Sequence, residues 1–424
     1  MTEDVIVLKA GNLIDGIRRE PIRNVLVVVE DSRIKEVGLP GKIKIPGGKV
    51  IDAGGKTVMP GLMDLHVHYT LSNSRVGGLR LDALQPLPIT ALEAARSLRL
   101  SLEMGYTTIR DCGAIDHIDI ALKKAVETGL IPGPRFITCG PIISITGGHG
   151  DSWSLDYPDL DMPHHAGKMA DGEDEVRKVV REEIKAGVDW VKLTHAGIAS
   201  SEAGPIGATQ FTIDEMKAAC EVAHKAGKKV CIHCLSAEAV KDSIVAEVDM
   251  IEHGIDMDEE GAKMMVEKGL MMTCCLSPGW RRRSLTFEDR IKMGYSEVVA
   301  RKSMKHSYEY RKESLQVPMK FGVKIAPGSD AKMYPGGAGD NALELELMVD
   351  SGFSPMEAII SATRVAAEGL DLETGTIEPG KLADIVIVDG DPLENIGILR
   401  EKKRILKVLK EGKVVVDQGS STCT

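Results

Sequence analysis

The chain has 424 residues, more than one ordinary compact core accommodates, which points to a large domain with a smaller one attached. Its composition, 43% hydrophobic and 27% charged, is that of a globular protein, and no apolar run approaches the roughly 20 residues that span a bilayer, so no membrane role is expected. A formal charge of −10, from 63 acidic against 53 basic residues, argues against nucleic acid or another polyanion as a partner.

The opening stretch, MTEDVIVLKAGNLIDG, begins acidic and turns at once into strand-like alternation, without the basic and apolar regions of a signal peptide, so a cytoplasmic protein is expected. From Asp4 to about Ile51, short β runs alternate with Gly, Pro and charge, the texture of a small β module. From about Val58, strand cores are followed by helical patterns, as in βα units with a parallel sheet. The cores are VMPGLMDLHVH, YTTIRDCG, RFITCGPIIS, VDWVKLTH, KKVCIHCLS, VDMIEHG, LMMTCCLS and VKIAPGSD. Helical stretches such as TALEAARSLRLSLEMG, GEDEVRKVVREEIKAG, TIDEMKAACEVAHKAG and DEEGAKMMVEKG each end in Gly before the next strand, as helix C-caps do. Eight such units predict an α/β protein with a (β/α)8 TIM-like barrel.

Two longer insertions, about 147–171 and 277–312, follow the third and seventh strands, where lids and substrate walls are usual. After the helix SPMEAIISATRVAAEGL, β texture returns in LADIVIVDGDP and ILKVLKEGKVVVDQG. The N- and C-terminal segments, 1–58 and 371–424, are therefore expected to form a small β-sandwich around an inserted barrel, 59–370. The eight cysteines, Cys112, Cys139, Cys220, Cys231, Cys234, Cys274, Cys275 and Cys423, lack zinc-ribbon or disulfide spacing and sit mostly in apolar segments, so they read as reduced and largely buried. The run Arg281-Arg282-Arg283 reads as a solvated surface patch.

In GLMDLHVHYT, His66 and His68 stand two apart, share a face of an extended strand and can share one metal ion. Alone, the pair is equally what satisfied core histidines look like. Lys192 lies on the fourth predicted strand, His233 ends the fifth, His253 the sixth and Asp330 the eighth. The C-terminal ends of barrel strands converge on one face, so these six groups are expected at one site. Four imidazoles and a carboxylate suit Zn²⁺ or another first-row divalent ion. As an ammonium, Lys192 has no lone pair for a cation. Beside a metal it would be a neutral amine able to react with CO₂ to form a bridging carbamate; the alternatives are a charge partner for Asp330 or a Schiff-base lysine.

With these residues in view, the sequence resembles the amidohydrolase superfamily, in particular the branch of imidazolonepropionase-related enzymes that includes Xaa-Pro dipeptidases and arginine or lysine carboxypeptidases. The resemblance runs from VIDAGGKTVMPGLMDLHVH through IEHG to GTIEPGKLADIVIVDGDPL. It implies two divalent metal ions, expected to be Zn, bridged by a carboxylated Lys192. His66 and His68 are then assigned to the more buried ion, His233 and His253 to the more exposed one, and Asp330 to the first ion and the hydroxide. Metal-bound hydroxide attacks the amide, and Asp330 takes its proton and delivers it to the leaving nitrogen.

For the substrate, His149 in SITGGHGD matches a TGGH motif whose His, in the dipeptidase branch, contacts the substrate carboxylate. His195 is a candidate pocket residue, with a purely structural role equally open. The dipeptidase relatives often carry a tyrosine or other polar group two residues after the strand-five histidine, where this chain has Leu235. Tyr69 is the candidate replacement donor, although strand alternation points it opposite to His68. Asp64 is either a partner for an imidazole or a structural carboxylate one layer down, while Arg110 and Asp111 either form an ion pair at the site or pin a loop, the loop being the preferred reading. His117, His164, His165, His224 and His306 are expected on the surface or on helices.

The leading expectation is a dipeptidase, carboxypeptidase or N-acyl amino acid hydrolase that cleaves a peptide-like amide next to a free carboxylate. The expected partners are a small-molecule or dipeptide substrate and further copies of the chain in a homo-oligomer. The alternatives are hydrolysis of a cyclic amide, urea, carbamate or amide-linked xenobiotic or toxin, and a non-catalytic scaffold, which the full set of ligands disfavours.

Overall fold

The structure, a computed structural model, describes residues 5–43, 47–71, 75–76, 79–80, 85–151, 166–197, 205–293, 295–331 and 337–418. The chain opens with β1 (Val5–Leu13), β2 (Ile22–Glu30), β3 (Arg33–Gly38) and β4 (Lys49–Pro60). Next come β5 (Leu62–Val67), the short β6 (Arg75–Val76) and β7 (Leu79–Arg80), then β8 (Tyr106–Asp111), β9 (Arg135–Thr138), β10 (Ile142–Ser144) and β11 (Gly167–Met169). They are followed by β12 (Trp190–Thr194), β13 (Lys229–Cys234), β14 (Met250–His253), β15 (Met271–Thr273) and β16 (Lys324–Ala326). The last strands are β17 (Ile385–Val388), β18 (Ile405–Lys410) and β19 (Lys413–Asp417).

Strands from both chain ends share one seven-stranded sheet, in the order β19-β18-β17-β4-β1-β2-β3. The two ends meet where β17 pairs antiparallel with residues 57–60 of β4. The β3 edge curls back, with Ile34 N donating to Lys381 O at 2.9 Å and Ala383 N to Ser32 O at 2.8 Å. Within the curl lies an aliphatic core that includes Leu8, Val27, Ile51, Ile385 and Leu409, the β-branched and aliphatic residues that suit a half-buried pleated surface.

The remaining long strands run parallel. One sheet comprises β5, β8 and β9, and the other has the order β11-β10-β12-β13-β14-β15-β16. Backbone hydrogen bonds link the two. On one side Leu65 N donates to Pro327 O at 3.1 Å, Asp330 N to His66 O at 2.8 Å and His68 N to Ala331 O at 3.1 Å; on the other, Asp189 N donates to Thr138 O at 2.9 Å. The segment expected as a single third strand, RFITCGPIIS, is divided into β9 and β10. Gly140, at φ +66°, and Pro141, which lacks an N–H, end β9, and β10 pairs instead with β11 and β12.

The expected helices form at Leu87–Glu103, Glu173–Ala186, Ile213–Lys225 and Glu259–Lys268. Thr212 and Glu215 cap the third reciprocally, and Asp258 caps the fourth. The insertion after β15 folds as four short helices, Ser277–Arg281, Phe287–Lys292, Glu297–Lys305 and Tyr308–Ser314, whereas 152–165 of the other insertion lie outside the described residues. Helix residues such as Val176, Val180 and Ala219 pack with Leu193 and Ile251 of the parallel strands. A separate cluster draws Met63, Leu65, Trp190, Cys231, Met250, Met271 and Ala326 from six parallel strands. Among the described residues, no helix is long and apolar enough to cross a membrane.

Candidate active site

His66 and His68, at the end of β5, hold their Nε2 atoms 3.2 Å apart. At that distance only one of two facing ring nitrogens can carry a hydrogen, and the other presents its lone pair. Ring contacts continue from His66 to His253 with centroids 4.8 Å apart, from His253 to His233 at 4.4 Å, and from His233 to His149, stacked at 4.1 Å. Asp330 Oδ1 lies 3.7 Å from His68 Nε2, and His66, His68 and Asp330 bring candidate ligand atoms within 4.8 Å of one another. Lys192 is 2% exposed, its Nζ has no hydrogen-bond partner among the described residues, and its charge acts on His66, His68, His233 and His253. The six candidate ligands thus converge, with His149 beside them.

The backbone here leaves ordinary strand geometry. His253, Cys275 and Asp330 have φ of +69°, +49° and +51°, conformations that cost a non-glycine residue on the order of 1–3 kcal/mol each. The turn at His253 lets Glu252 and His253, neighbours in sequence, both face the site, where strand alternation would send one away. Before Asp330, a Cβ on Gly328 would come within 2.7 Å of the His66 Cβ, so the chain passes this close only as glycine.

Burial pushes His68 down to about 4 and holds His233 and His253 well below the usual imidazole range, with neighbouring rings and Lys192 adding to the depression. These three rings are neutral at pH 7, the form that binds a metal ion. Burial acts the same way on His66, but Cys112, Cys275 and Glu252 outweigh it and hold that ring above its ordinary range. For Lys192, burial disfavours the ammonium while Glu252 favours it, and the net direction is upward.

A model of the amidohydrolase family matches residues 57–415. The chain belongs to that family. It is 30% identical to ochratoxinase from Aspergillus niger, over 98% of this chain and 87% of that one. To imidazolonepropionase from Pyrobaculum arsenaticum it is 23% identical over 92% of each chain. It superposes on a prolidase solved in complex with N-methylphosphonate-L-proline with a TM-score of 0.87 and 33% identity, covering 98% of this chain and 100% of that one. The amidohydrolase lies in the imidazolonepropionase-related branch, and its family and named relatives support hydrolysis of an amide bond in a small-molecule substrate.

Support beneath the site comes largely from residues that sequence reading did not single out. Glu252 is fully buried, with Oε2 2.6 Å from His66 Nδ1 and accepting from Thr273 Oγ1 at 2.6 Å, while Oε1 forms an ion pair with Arg110. Its one signal in the sequence is a carboxylate in a strand, MIEH, that is buried throughout. Arg110 is therefore part of this support and not a loop pin; its Nε donates to Leu65 O at 2.8 Å and its guanidinium lies 4.7 Å from the Trp190 ring centroid. Asp111 does pin the loop, accepting from Tyr69 N at 2.9 Å and Gly113 N at 3.1 Å.

Asp64 takes the structural alternative. It accepts from His66 N at 3.2 Å, Ser329 N at 3.0 Å and Asn341 Nδ2 at 2.7 Å, tying β5 to the segment that carries Asp330. Tyr69, the candidate replacement donor, is fully buried and its hydroxyl bonds Ser101 and Asn341. His195, the candidate pocket residue, turns its ring to Asp242 of the helix Ala237–Val245, with Nε2 3.4 Å from the carboxylate. His306 is buried and not a surface residue, and burial pushes it down to about 3. His117 meets Glu183 and His224 meets Asp249, whereas His164 and His165 lie outside the described residues.

Proposed function

We propose that this amidohydrolase is a binuclear metal-dependent enzyme that cleaves a peptide-like amide next to a free carboxylate, as a dipeptidase, carboxypeptidase or N-acyl amino acid hydrolase. The observation that carries this reading is Lys192, a buried amine without a hydrogen-bond partner among the described residues, in electrostatic reach of four imidazoles of which three are held neutral. As an ammonium, which Glu252 favours, Lys192 would repel a metal ion, whereas its carbamate is an anion able to bridge two, and the surrounding imidazoles and carboxylate fit two divalent ions, zinc among them. His66 and His68 would hold the more buried ion and His233 and His253 the more exposed one, with Lys192 as a bridging carbamate and Asp330 at the first ion. The reading includes closure of the parallel strands into one (β/α)8 barrel over about 59–370, with 1–58 and 371–424 as a sandwich. It is supported by the hydrogen bonds that join the two parallel sheets on both sides.

Bound ions supply Lewis acidity to the scissile carbonyl and to water. The protein supplies the rest. Asp330 takes the proton released as water attacks and delivers it to the amide nitrogen, which leaves poorly without it. Glu252 accepts from His66 Nδ1 and so keeps the His66 Nε2 lone pair turned toward the site. His149, stacked on His233, binds the substrate carboxylate. Metal analysis and a panel of dipeptides, N-acyl amino acids and their C-terminal amides test the reading. Two equivalents of metal and a preference for free carboxylates are expected. A single equivalent that Lys192→Ala retains overturns the bridge, and equal turnover of the neutral amides overturns the carboxylate contact.

A second reading, hydrolysis of an amide-linked xenobiotic or toxin, is favoured by Leu235, an apolar and 5% exposed residue two positions after His233, and by the similarity to ochratoxinase. Preferential turnover of aromatic amides in the same panel would select it.

A further inference from the structure

Three thiols meet beneath the imidazoles, and the hydrolytic reading uses none of them. Cys112 follows β8, Cys139 follows β9 and Cys231 lies within β13. All three are fully buried, and their sulfur atoms lie within 4.8 Å of one another. The parallel register that pairs Asp111 with Thr138 brings Cys112 and Cys139 side by side, and Cys231 is the register partner of Lys192. A three-coordinate ion with metal–sulfur bonds of about 2.3 Å sets its sulfurs about 4 Å apart, within the observed spread. Arg110 supplies an independent observation. It is fully buried, its Nη1 has no hydrogen-bond partner among the described residues, and its charge acts on all three thiols. A guanidinium N–H in that position calls for an anionic acceptor, which a metal thiolate provides.

We propose that Cys112, Cys139 and Cys231 form a thiolate site for one soft metal ion, separate from the imidazole cluster. Binding a divalent ion forms three metal–sulfur bonds, releases three thiol protons to solvent, and leaves one net negative charge facing Arg110. Cys112 Sγ also lies within 4.8 Å of a His66 nitrogen, which places the thiols directly beneath the imidazole cluster. The soft-ligand set selects ions such as Cd²⁺ or Cu⁺ over the hard ions that carboxylates prefer.

The test adds Cd²⁺ to zinc-saturated protein and reads the thiolate-to-cadmium charge-transfer band together with the sulfur count from cadmium X-ray absorption. One equivalent giving the band, with three sulfurs around the ion, is expected. Cys139→Ala should abolish the band, whereas Cys275→Ser should keep it. Cys275 is the control because its sulfur lies within 4.8 Å of nitrogens of His66 and His253. Absence of the band, fewer than three sulfurs, or loss of the band in Cys275→Ser with retention in Cys139→Ala overturns the proposal. If Cys139→Ala fails to fold, the sulfur count on the unaltered protein decides.

Discussion

The terminal sheet and the parallel strands are built from the same kind of element and bury opposite kinds of side chain. Around Leu8, Val27, Ile51 and Ile385 the terminal sheet encloses an aliphatic cluster. The parallel strands enclose Lys192, Arg110, Glu252 and the imidazoles of His66, His68, His233 and His253. Apolar burial contributes about 25 cal/mol per Å² with no demand on partner geometry, whereas a buried charge is stabilising only when its partners are in place. The contrast teaches that stability and chemistry are held by different parts of this chain, and that damage to each should look different.

The sharpest break of that comparison is at Asp330. Asp330→Asn keeps an oxygen and loses the proton carrier, so kcat should fall on the order of 10² to 10⁴-fold with the melting temperature close to that of the parent. Steady-state kinetics beside thermal melting reads both, and activity within a few-fold of the parent would remove Asp330 from the role. Next is the buried pair. Glu252→Ala strands the Arg110 charge and frees His66 Nδ1, so a destabilisation of about 3–5 kcal/mol in urea unfolding should accompany weaker metal retention. An unchanged metal content would separate Glu252 from the site.

The terminal sheet should respond on one axis only. Leu8→Ala is expected to cost about 2–5 kcal/mol of stability while kcat per folded molecule stays as it was, and a changed kcat would show the two regions to be coupled. The smallest effect belongs to His149. His149→Ala should lower kcat/KM for a dipeptide by about 1.5–3 kcal/mol, the worth of a hydrogen bond to a charged group, and much less for the matching C-terminal amide. Equal losses on both substrates would reduce His149 to a residue that shapes its own loop.

The sequence alone determined where the parallel strands lie, because apolar cores followed by helical periodicity and terminal Gly recur down the chain. From those strand ends it also indicated that His66, His68, Lys192, His233, His253 and Asp330 meet, since parallel strands bring their C-terminal ends to one side. Tertiary structure alone decided the rest. The division of RFITCGPIIS became visible only through the partners that β10 takes, and the register shift between Asp64 and Val67 breaks the alternation from which Asp64 was read. The left-handed turns at His253 and Asp330 re-aim side chains in ways that period-two reasoning cannot supply. Glu252 with Arg110, His195 with Asp242, and the Cys112, Cys139 and Cys231 cluster join residues 27 to 142 positions apart, and no local pattern records such pairings. Periodicity reports which face a residue occupies; what it meets there depends on the neighbouring strand, which is chosen only when the whole chain packs.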